Sequence, residues 1–389
     1  MAPPAPCVAD APDALLEDIF LRLPAAADLA RASAACPSFR RVIAGHAFLR
    51  RYRALHTPPL VGILHDHIPF VPAQPPHPSA APARSFAGFD FSCSSFLSSA
   101  AGRTWSSVDF FDGRALMAGV PVGNGSGFKV YHEFLTRDLA VCDPVHRRYV
   151  VLPAVPGDLK ALVHIRDLFD METFLAPGEH AEDPLPFRVI CLVQCRSNLL
   201  LLIFSSLDGQ WHVLTYDQWG VCATLASFVK SEPGLSSCQF VHGCFYWRLH
   251  KRCELLVLNL RAMEFSAIKS RQRSDSFVVV EAAKGMLGML TKGYGNDRCC
   301  LQYSILTNNQ WHFEKVIPLP VKYVSLVGVA GGYLLVYAMY DASSQEKMKF
   351  GFFSVNLKTL QVELFAALGT HSPRRLYAGF PPSLCAPTI

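Results

Sequence analysis

The N-terminal part of the chain carries apolar side chains at helical spacing. Between Asp13 and Leu23 they recur on one face of a helix, and a proline stands on either side of the segment. This pattern predicts an amphipathic helix over residues 13–23, with Asp13 as its cap and Pro24 as its stop. A second helix is expected over residues 26–35. Two further short helices are expected around the apolar sets Phe39, Val42, Ile43 and Phe48, Leu49, Tyr52.

Together these segments predict a small bundle of three or four helices over residues 10–55. A unit of this size buries too little apolar surface to be stable by itself. It is therefore expected either to dock onto a partner or to cap a larger domain, and the periodicity leaves both interpretations open.

Beyond Thr57 the pattern changes to short runs of β-branched and aromatic residues. Gly, Pro, Asn and Asp separate these runs, which is typical of strands joined by tight turns. The strands predicted in this way lie at residues 60–64, 189–193, 199–204, 211–216, 240–247, 255–260, 277–281, 333–337 and 350–355.

A loose repeat runs through this β region. Residues 141–153, 256–265 and 353–364 each indicate a hairpin with an Asp or Asn at its turn, and Trp211-His212 is echoed by Trp311-His312. Imperfect repeats of about 40–50 residues with four strands each are typical of β-propellers. The predicted fold is therefore mainly β with a small N-terminal helical unit. Residues 57–389 are expected to form a β-propeller-like domain of about six or seven blades.

Two segments are predicted to lie outside the strands. The Pro-rich residues 69–82 indicate an extended surface loop. Residues 156–186 carry acidic side chains from Asp167 to Asp183 and indicate a long polar loop that projects from one face. Such a loop is either a contact for a target or a solvated insertion without a role, and the sequence leaves both open.

Composition narrows the class of protein. Of the 389 residues 51% are hydrophobic and 17% charged, which excludes a disordered chain. The net charge of +5 is spread along the sequence, which argues against a nucleic-acid partner. The 13 cysteines form no Cys-x-x-Cys pair, and the apolar stretches are too short to span a membrane. A soluble protein of the cytoplasm or nucleus, without a membrane partner, is therefore expected.

Signatures of catalysis and of cofactor binding are missing from the sequence. There is no phosphate-binding loop and no Gly-x-Ser-x-Gly elbow. The glycines Gly123, Gly125 and Gly127 indicate a flexible hairpin loop, and His65 and His67 lack a third metal ligand nearby. The tryptophans are interpreted as core residues between blades. No catalytic residue, no metal and no cofactor is predicted.

Segments of the helical region resemble the F-box motif. Residues 12–24, a leucine-rich helix that ends in Arg-Leu-Pro, are similar to its opening, and residues 28–33, 36–40 and 46–51 are similar to its later helices. The likeness covers roughly residues 10 to 52 with the spacing kept. Three positions depart from the family: Ala11 stands where a leucine is usual, Pro37 where a basic residue is usual, and Phe39 where a tryptophan is usual.

The resemblance implies that the helical region binds a Skp-type adaptor and, through it, a cullin and a RING protein. The residues it assigns to adaptor binding are Pro12, Leu15, Leu16, Ile19, Leu29, Cys36 and Phe39. Such an interface is a hydrophobic helix face with a few central anchors. The alternative is that some of the apolar residues, Ile19 and Leu23 above all, only hold the bundle together.

The β region resembles the F-box-associated β-domains of plant proteins at residues 242–247, 255–265 and 281–290, and residues 377–384 resemble a tail of grass members. The resemblance as a whole implies the substrate-recognition subunit of an SCF-type ubiquitin ligase, with an F-box at residues 10–55 and a target-binding domain at residues 57–389. The target is not indicated. One alternative is an adaptor-independent scaffold with a degenerate F-box, which Ala11, Pro37 and Phe39 favour. A propeller-fold enzyme is the other alternative.

Overall fold

The computed structural model describes residues 8, 11–23, 26–64, 70–98, 103–121, 135, 137–163, 167–178, 185–195, 198–216, 238–248, 254–270, 277–295, 298–341, 348–367 and 375–389. Four helices come first among these residues, and β-strands make up most of the remainder. The predicted fold class, mainly β with a small N-terminal helical unit, is confirmed.

The helical unit agrees with the predicted periodicity. It consists of α1 (Asp13–Leu21), α2 (Ala26–Ala35), α3 (Pro37–Ile43) and α4 (His46–Leu55). The first helix ends before the predicted Leu23, because the backbone N–H groups of Arg22 and Leu23 bond to the carbonyls of Ile19 and Phe20, three residues back. Such bonds tighten the last turn and close the helix.

Six antiparallel sheets form the blades of a β-propeller. Blade 1 contains β3 (Arg103–Phe111), β4 (Arg114–Pro121), β5 (Leu139–Asp143) and β6 (Arg148–Val151). Blade 2 contains β7 (Leu168–Pro177), β8 (Phe187–Cys195), β9 (Leu199–Ser205) and β10 (Gln210–Tyr216). Blade 3 contains β11 (Gln239–Val241), β12 (Cys244–Arg248), β13 (Glu254–Asn259) and β14 (Glu264–Lys269).

The remaining blades complete the ring. Blade 4 contains β15 (Phe277–Glu281), β16 (Leu287–Gly295), β17 (Arg298–Thr307) and β18 (Gln310–Pro318). Blade 5 contains β19 (Tyr323–Ala330), β20 (Tyr333–Asp341), β21 (Met348–Asn356) and β22 (Val362–Ala367). Blade 6 contains β23 (Arg375–Ala378), β1 (Leu60–Leu64) and β2 (Val71–Pro72). In blades 1 to 5 the innermost strand is the one that comes first in the sequence. In blade 6 the innermost strand is β23.

Blade 6 closes the ring by joining the two ends of the β region. The strand β1 precedes all the other blades in sequence and pairs antiparallel with β23, which comes after them, with Ile63 opposite Leu376. The turn after β19 lies against the entry to β1. A Cβ on Gly331 would stand 2.2 Å from the backbone nitrogen of Leu60, so only glycine fits there.

The hairpin repeat found in the sequence has a physical cause. The side chains of Asp143, Asn259 and Asn356 each accept hydrogen bonds from the backbone N–H groups two and three residues further on. Four residues after each of them comes a residue with positive φ: Arg147, Met263 and Leu360. An Asx turn therefore joins the two outer strands of blades 1, 3 and 5, and these three predicted hairpins are confirmed.

The tryptophans of the two Trp-His pairs, Trp211 and Trp311, also have a structural role. Trp211 and Trp311 are the second residues of the outermost strands β10 and β18, and both are buried. Each indole N–H donates to a backbone carbonyl of the preceding blade region, Trp211 to Pro153 and Trp311 to Lys269, both at 2.8 Å. The interpretation of these tryptophans as core residues between blades is confirmed.

Three local predictions were wrong. Residues 240–247 form two strands, β11 and β12, because His242 and Gly243 both take positive φ and make a hairpin turn. The Pro-rich segment is packed and not an extended surface loop: it carries β2 and a short helix, α5 (Ala80–Arg84), and it buries Ala73 and His77.

The third wrong prediction concerns residues 156–186. Most of the described residues of this segment do not form a projecting loop, since they belong to the helix α6 (Gly157–Ala161) and the innermost strand β7. The polar residues misled the prediction, because Asp170 and Glu172 belong to a strand that lines the centre of the propeller. Glu179, Glu182 and Asp183 lie outside the described residues.

The helical unit is packed against the propeller. The ring of Tyr52, on α4, lies 5.5 Å from that of Phe380, which comes after the last strand. The guanidinium of Arg53 forms an ion pair of 2.8 Å with Asp112, in the turn between β3 and β4. The core of the unit therefore extends into residues 380–386: Phe380, Leu384 and Ala386 share one apolar cluster with the buried residues of α1 to α4.

Candidate functional site

One strip of apolar side chains on α1 faces solvent. Leu15 is 52% exposed and Ile19 is 39% exposed, and the two lie one helical turn apart. Pro12 is exposed at the start of the same strip. Apolar residues with this much accessible surface on a small helical unit are candidates for a partner interface. We call Pro12, Leu15 and Ile19 the α1 strip.

Two of the residues that the resemblance assigned to the adaptor are not on this surface. Leu16 is 1% exposed and Leu29 is fully buried, and both belong to the core of the helical unit. In this structure they have almost no accessible side-chain surface to offer a partner, and their assignment to adaptor contact stays a prediction. Their role is to hold the four helices together.

Cys36 and Phe39 are half-buried near the start of α3. Cys36 is the N-cap residue, and its sulfur accepts a hydrogen bond of 3.5 Å from the backbone N–H of Phe39. The ring of Phe39 packs edge-on against Phe20 of α1, with 5.1 Å between the centroids. Phe39 therefore links α3 to α1, and part of its surface stays open beside them.

Two ion pairs join α1 to its neighbouring helices. Arg41 of α3 donates two hydrogen bonds to the carboxylate of Asp13, at 2.5 and 2.7 Å, and Arg51 of α4 donates one of 2.6 Å to Glu17. The hydrogen bonds from Arg41 lower the pKa of Asp13, with its charge adding to the effect. These bridges tie α1 to both neighbouring helices.

A second candidate site is the channel along the axis of the propeller. It encloses about 740 Å³ and is lined by the innermost strands of all six blades, with Arg53 and Pro58 of the helical side among its lining residues. The volume falls within the range of about 300–1,000 Å³ usual for small-molecule sites. Of its polar lining residues the sequence had drawn attention only to Glu172, as part of the acidic segment at residues 156–186.

Those polar residues brace one blade against the next. The carboxylate of Asp109, on β3, accepts the backbone N–H of Leu175 in blade 2 at 2.9 Å. The carboxylate of Glu172, in blade 2, accepts the indole N–H of Trp247 at 2.7 Å and the backbone N–H of Cys238 at 3.1 Å, both from blade 3.

The same arrangement continues around the ring. The side-chain carbonyl of Gln239 accepts from the backbone N–H of Val279, and the guanidinium of Arg375 donates to the carbonyl of Val108. The innermost strands have no strand neighbour on the channel side, so their backbone groups need such partners. The polar groups of the channel therefore carry a structural role, which is to join consecutive blades.

Burial sets the electrostatics of the channel. It raises the pKa of Asp109, against the lowering effects of the Arg375 charge and of two backbone N–H groups. Burial likewise raises the pKa of Glu172, against the hydrogen bonds from Trp247 and Cys238. The same cause raises the pKa of the Cys238 thiol, so this cysteine is not an activated nucleophile.

The described part of the chain offers no group of three or more His, Cys, Asp and Glu side chains that could hold a metal ion. His65, Asp66 and His67 lie outside it, as do Gly123, Gly125 and Gly127. Of the helices that are described, none is long and apolar enough to cross a membrane.

Comparisons with known proteins give only distant likenesses. No protein-family model and no curated protein matches the chain. Among solved structures, a protein from Lactobacillus plantarum is 10% identical over 72% of this chain and 85% of its own, with a TM-score of 0.36. TolB from Acinetobacter baumannii is 10% identical over 69% of each chain, with a TM-score of 0.35.

A post-proline cleaving enzyme from Rickettsia typhi is 9% identical over 66% of this chain, with a TM-score of 0.32. The match spans only 36% of that enzyme. At these identities and scores no activity is transferred to this chain.

Proposed function

We propose that this chain is the substrate-recognition subunit of an SCF-type ubiquitin ligase. In this proposal the helical unit binds a Skp-type adaptor, which connects it to a cullin and a RING protein, and the propeller holds a target protein. The observation that carries the proposal is the α1 strip: exposed apolar residues on the helix whose sequence resembles the opening of an F-box.

The physical basis is proximity, and the chain itself performs no bond chemistry in this proposal. One domain holds the ligase and the other the target, so that a lysine of the target meets the conjugating enzyme at high effective concentration. The commitment of Asp109 and Glu172 to inter-blade hydrogen bonds supports a non-enzymatic role. Action in the cytoplasm or nucleus, where such ligases assemble, is part of the same proposal.

The second candidate is a protein-interaction scaffold that works without an adaptor. It is favoured by the packing of α4 against the propeller through Tyr52 and Arg53, which is the arrangement of a structural cap. The departures at Ala11, Pro37 and Phe39 favour it as well.

Binding to a purified Skp-type adaptor separates the two candidates. The full chain is mixed with the adaptor and the complex is measured by size-exclusion chromatography and isothermal titration calorimetry. The double variant Leu15→Asp, Ile19→Asp places two charges in the strip without touching the core. Leu55→Asp is the matched control, since Leu55 is 66% exposed on α4 and lies outside the strip.

The ligase proposal expects a stoichiometric complex with the wild-type chain and the Leu55→Asp chain and none with the double variant. Failure of the wild-type chain to bind any Skp-type adaptor would overturn it in favour of the scaffold. Equal binding by the double variant would show that the α1 strip is not the interface.

A further inference from the structure

Residues 380–389, which come after the last strand, connect the helical unit to blades 1 and 2. We call this segment the strap. At one end Phe380, Leu384 and Ala386 are buried in the core of the helical unit. At the other end Thr388 and Ile389 lie between blades 1 and 2, where Ile389 packs against the apolar cluster that the two blades share.

The far end of the strap lies in a slot lined by buried charges. Arg114, at the start of β4, is 2% exposed, and Asp143, at the end of β5, is 1% exposed. Taking two charged groups out of water is costly unless hydrogen bonds satisfy them. Thr388 of the strap bonds to both charges, beside the backbone N–H groups of Val145 and His146 and the His146 ring at Asp143, and the Leu185 carbonyl at Arg114.

The contacts with Thr388 are specific. Arg114 donates from Nε and Nη2 to the carbonyl oxygen of Thr388, at 2.9 and 2.7 Å, and from Nη2 to the carbonyl of Leu185 at 2.7 Å. The backbone N–H and the hydroxyl of Thr388 both donate to Oδ2 of Asp143 at 2.8 Å. Arg148 donates to the carbonyl of Ile389 at 3.2 Å.

The slot thus recognises the donors and acceptors of a peptide segment. It takes a residue with a hydroxyl, Thr or Ser, followed by an aliphatic residue that fits between the blades. Burial would raise the pKa of Asp143, but the hydrogen bonds from Thr388 and His146 outweigh it and lower that pKa. The carboxylate is therefore charged and able to accept from a peptide at neutral pH.

A charge network also leads from the slot to the helical unit. Nη1 of Arg114 lies 3.6 Å from the carboxylate of Asp112, and Asp112 pairs with Arg53 of α4 at 2.8 Å. The helical unit is thus linked to the slot twice, once through the strap itself and once through Arg53, Asp112 and Arg114.

We propose that the slot formed by Arg114, Asp143 and Arg148 is a peptide-binding site whose internal ligand is the strap, and that its occupancy holds the helical unit on the propeller. A peptide of the same chemistry, Thr or Ser before an aliphatic residue, competes for the slot in trans. This inference stands whether or not the helical unit binds an adaptor.

The first test is competition on the full chain. A fluorescein-labelled synthetic peptide with the sequence of residues 384–389 is titrated with the wild-type chain and with the Thr388→Val chain, and anisotropy is measured. A tethered segment competes at an effective concentration of roughly millimolar. Loss of the Thr388 hydroxyl weakens the strap by one charge-assisted hydrogen bond, so the Thr388→Val chain is expected to bind the peptide about tenfold more tightly.

A peptide with valine in place of the threonine is expected to bind about tenfold more weakly than the native peptide. Thr359→Val is the matched control chain, because Thr359 is exposed in the turn after β21 and far from the slot in sequence. Equal affinity of the wild-type and Thr388→Val chains, equal affinity of the two peptides, or no binding at all would each overturn the proposed site.

A second test measures the coupling by hydrogen exchange on the full chain. In Asp143→Asn the amides of Ala386 and Thr388 and those of α4 are expected to exchange faster together, by about tenfold, while blade 4 is unchanged. Faster exchange in the strap with α4 unaffected would show that the slot does not hold the helical unit.

Discussion

Truncating the α1 strip is expected to weaken adaptor binding about thirtyfold without unfolding the chain. Burying a whole Leu or Ile side chain is worth about 1.5–3 kcal/mol. In the free chain 52% of Leu15 and 39% of Ile19 remain to be buried. These fractions correspond to about 1.2 kcal/mol for Leu15 and about 0.9 kcal/mol for Ile19, together about 2 kcal/mol, or about thirtyfold in Kd.

The measurement is calorimetric titration of a purified Skp-type adaptor with the wild-type chain and the Leu15→Ala, Ile19→Ala chain. Thermal unfolding is recorded in parallel, because the parts of Leu15 and Ile19 that are already buried are expected to contribute about 1 kcal/mol each to stability. Leu55→Ala serves as the control for loss of an exposed apolar residue elsewhere in the unit. A loss below about threefold, or the same loss in Leu55→Ala, contradicts the assignment of the strip.

Three further predictions concern residues that hold the fold. Leu16→Ala, in the helical core, is expected to cost about 2–5 kcal/mol of stability by thermal or urea unfolding, and loss of adaptor binding with stability unchanged would contradict its core role. Glu172→Leu leaves the N–H groups of Trp247 and Cys238 without their acceptor and is expected to cost about 2–4 kcal/mol in urea unfolding, whereas Glu172→Gln keeps a side-chain acceptor and costs less. Burial lowers the pKa of His77 from 6.5 to about 4, so below pH 6.5 the unfolded chain binds a proton that the folded chain refuses. The free energy of unfolding of the wild-type chain is therefore expected to be about 2 kcal/mol lower at pH 5 than at pH 7.5. In urea unfolding, the stability difference between wild type and His77→Asn should shrink by that amount between the two pH values.

The helices could be predicted from the sequence because their signals are local. The helix α2 has the bounds that the sequence predicted. The helix α1 ends two residues before its predicted end, because its last turn is tight. Which face of α1 is buried could not be predicted in the same way. Leu15 and Ile19 form one pair and Leu16 and Phe20 another, and the two pairs are about 100° apart around the helix. Both pairs are apolar, so periodicity alone could not distinguish a core pair from an exposed pair.

The features that depend on distant residues were beyond the sequence. The pairing of β1 with β23 joins segments more than 300 residues apart, and nothing local in residues 60–64 indicates that partner. Asp143 was predicted correctly as a turn residue. Asp143 also accepts hydrogen bonds from Thr388, 245 residues away, and nothing in the sequence next to Asp143 indicates that contact. The Pro-rich stretch around His77 predicted an exposed loop. His77 is buried instead, because it packs against Phe365 and hydrogen-bonds to Ser354, which are distant in the sequence.

The exposure of the α1 strip results from how the helical unit completes its core. Four short helices enclose too little volume to bury two apolar pairs of α1 at once. The strap supplies the missing apolar surface through Phe380 and Leu384, and the core that results contains Leu16 and Phe20. Leu15 and Ile19 are left on a different face of α1. A structural cap and a docking module are therefore compatible in this chain, because each uses a different face of the same four helices. The binding test distinguishes them because the strip can be changed while the contacts of Tyr52 and Arg53 with the propeller remain intact.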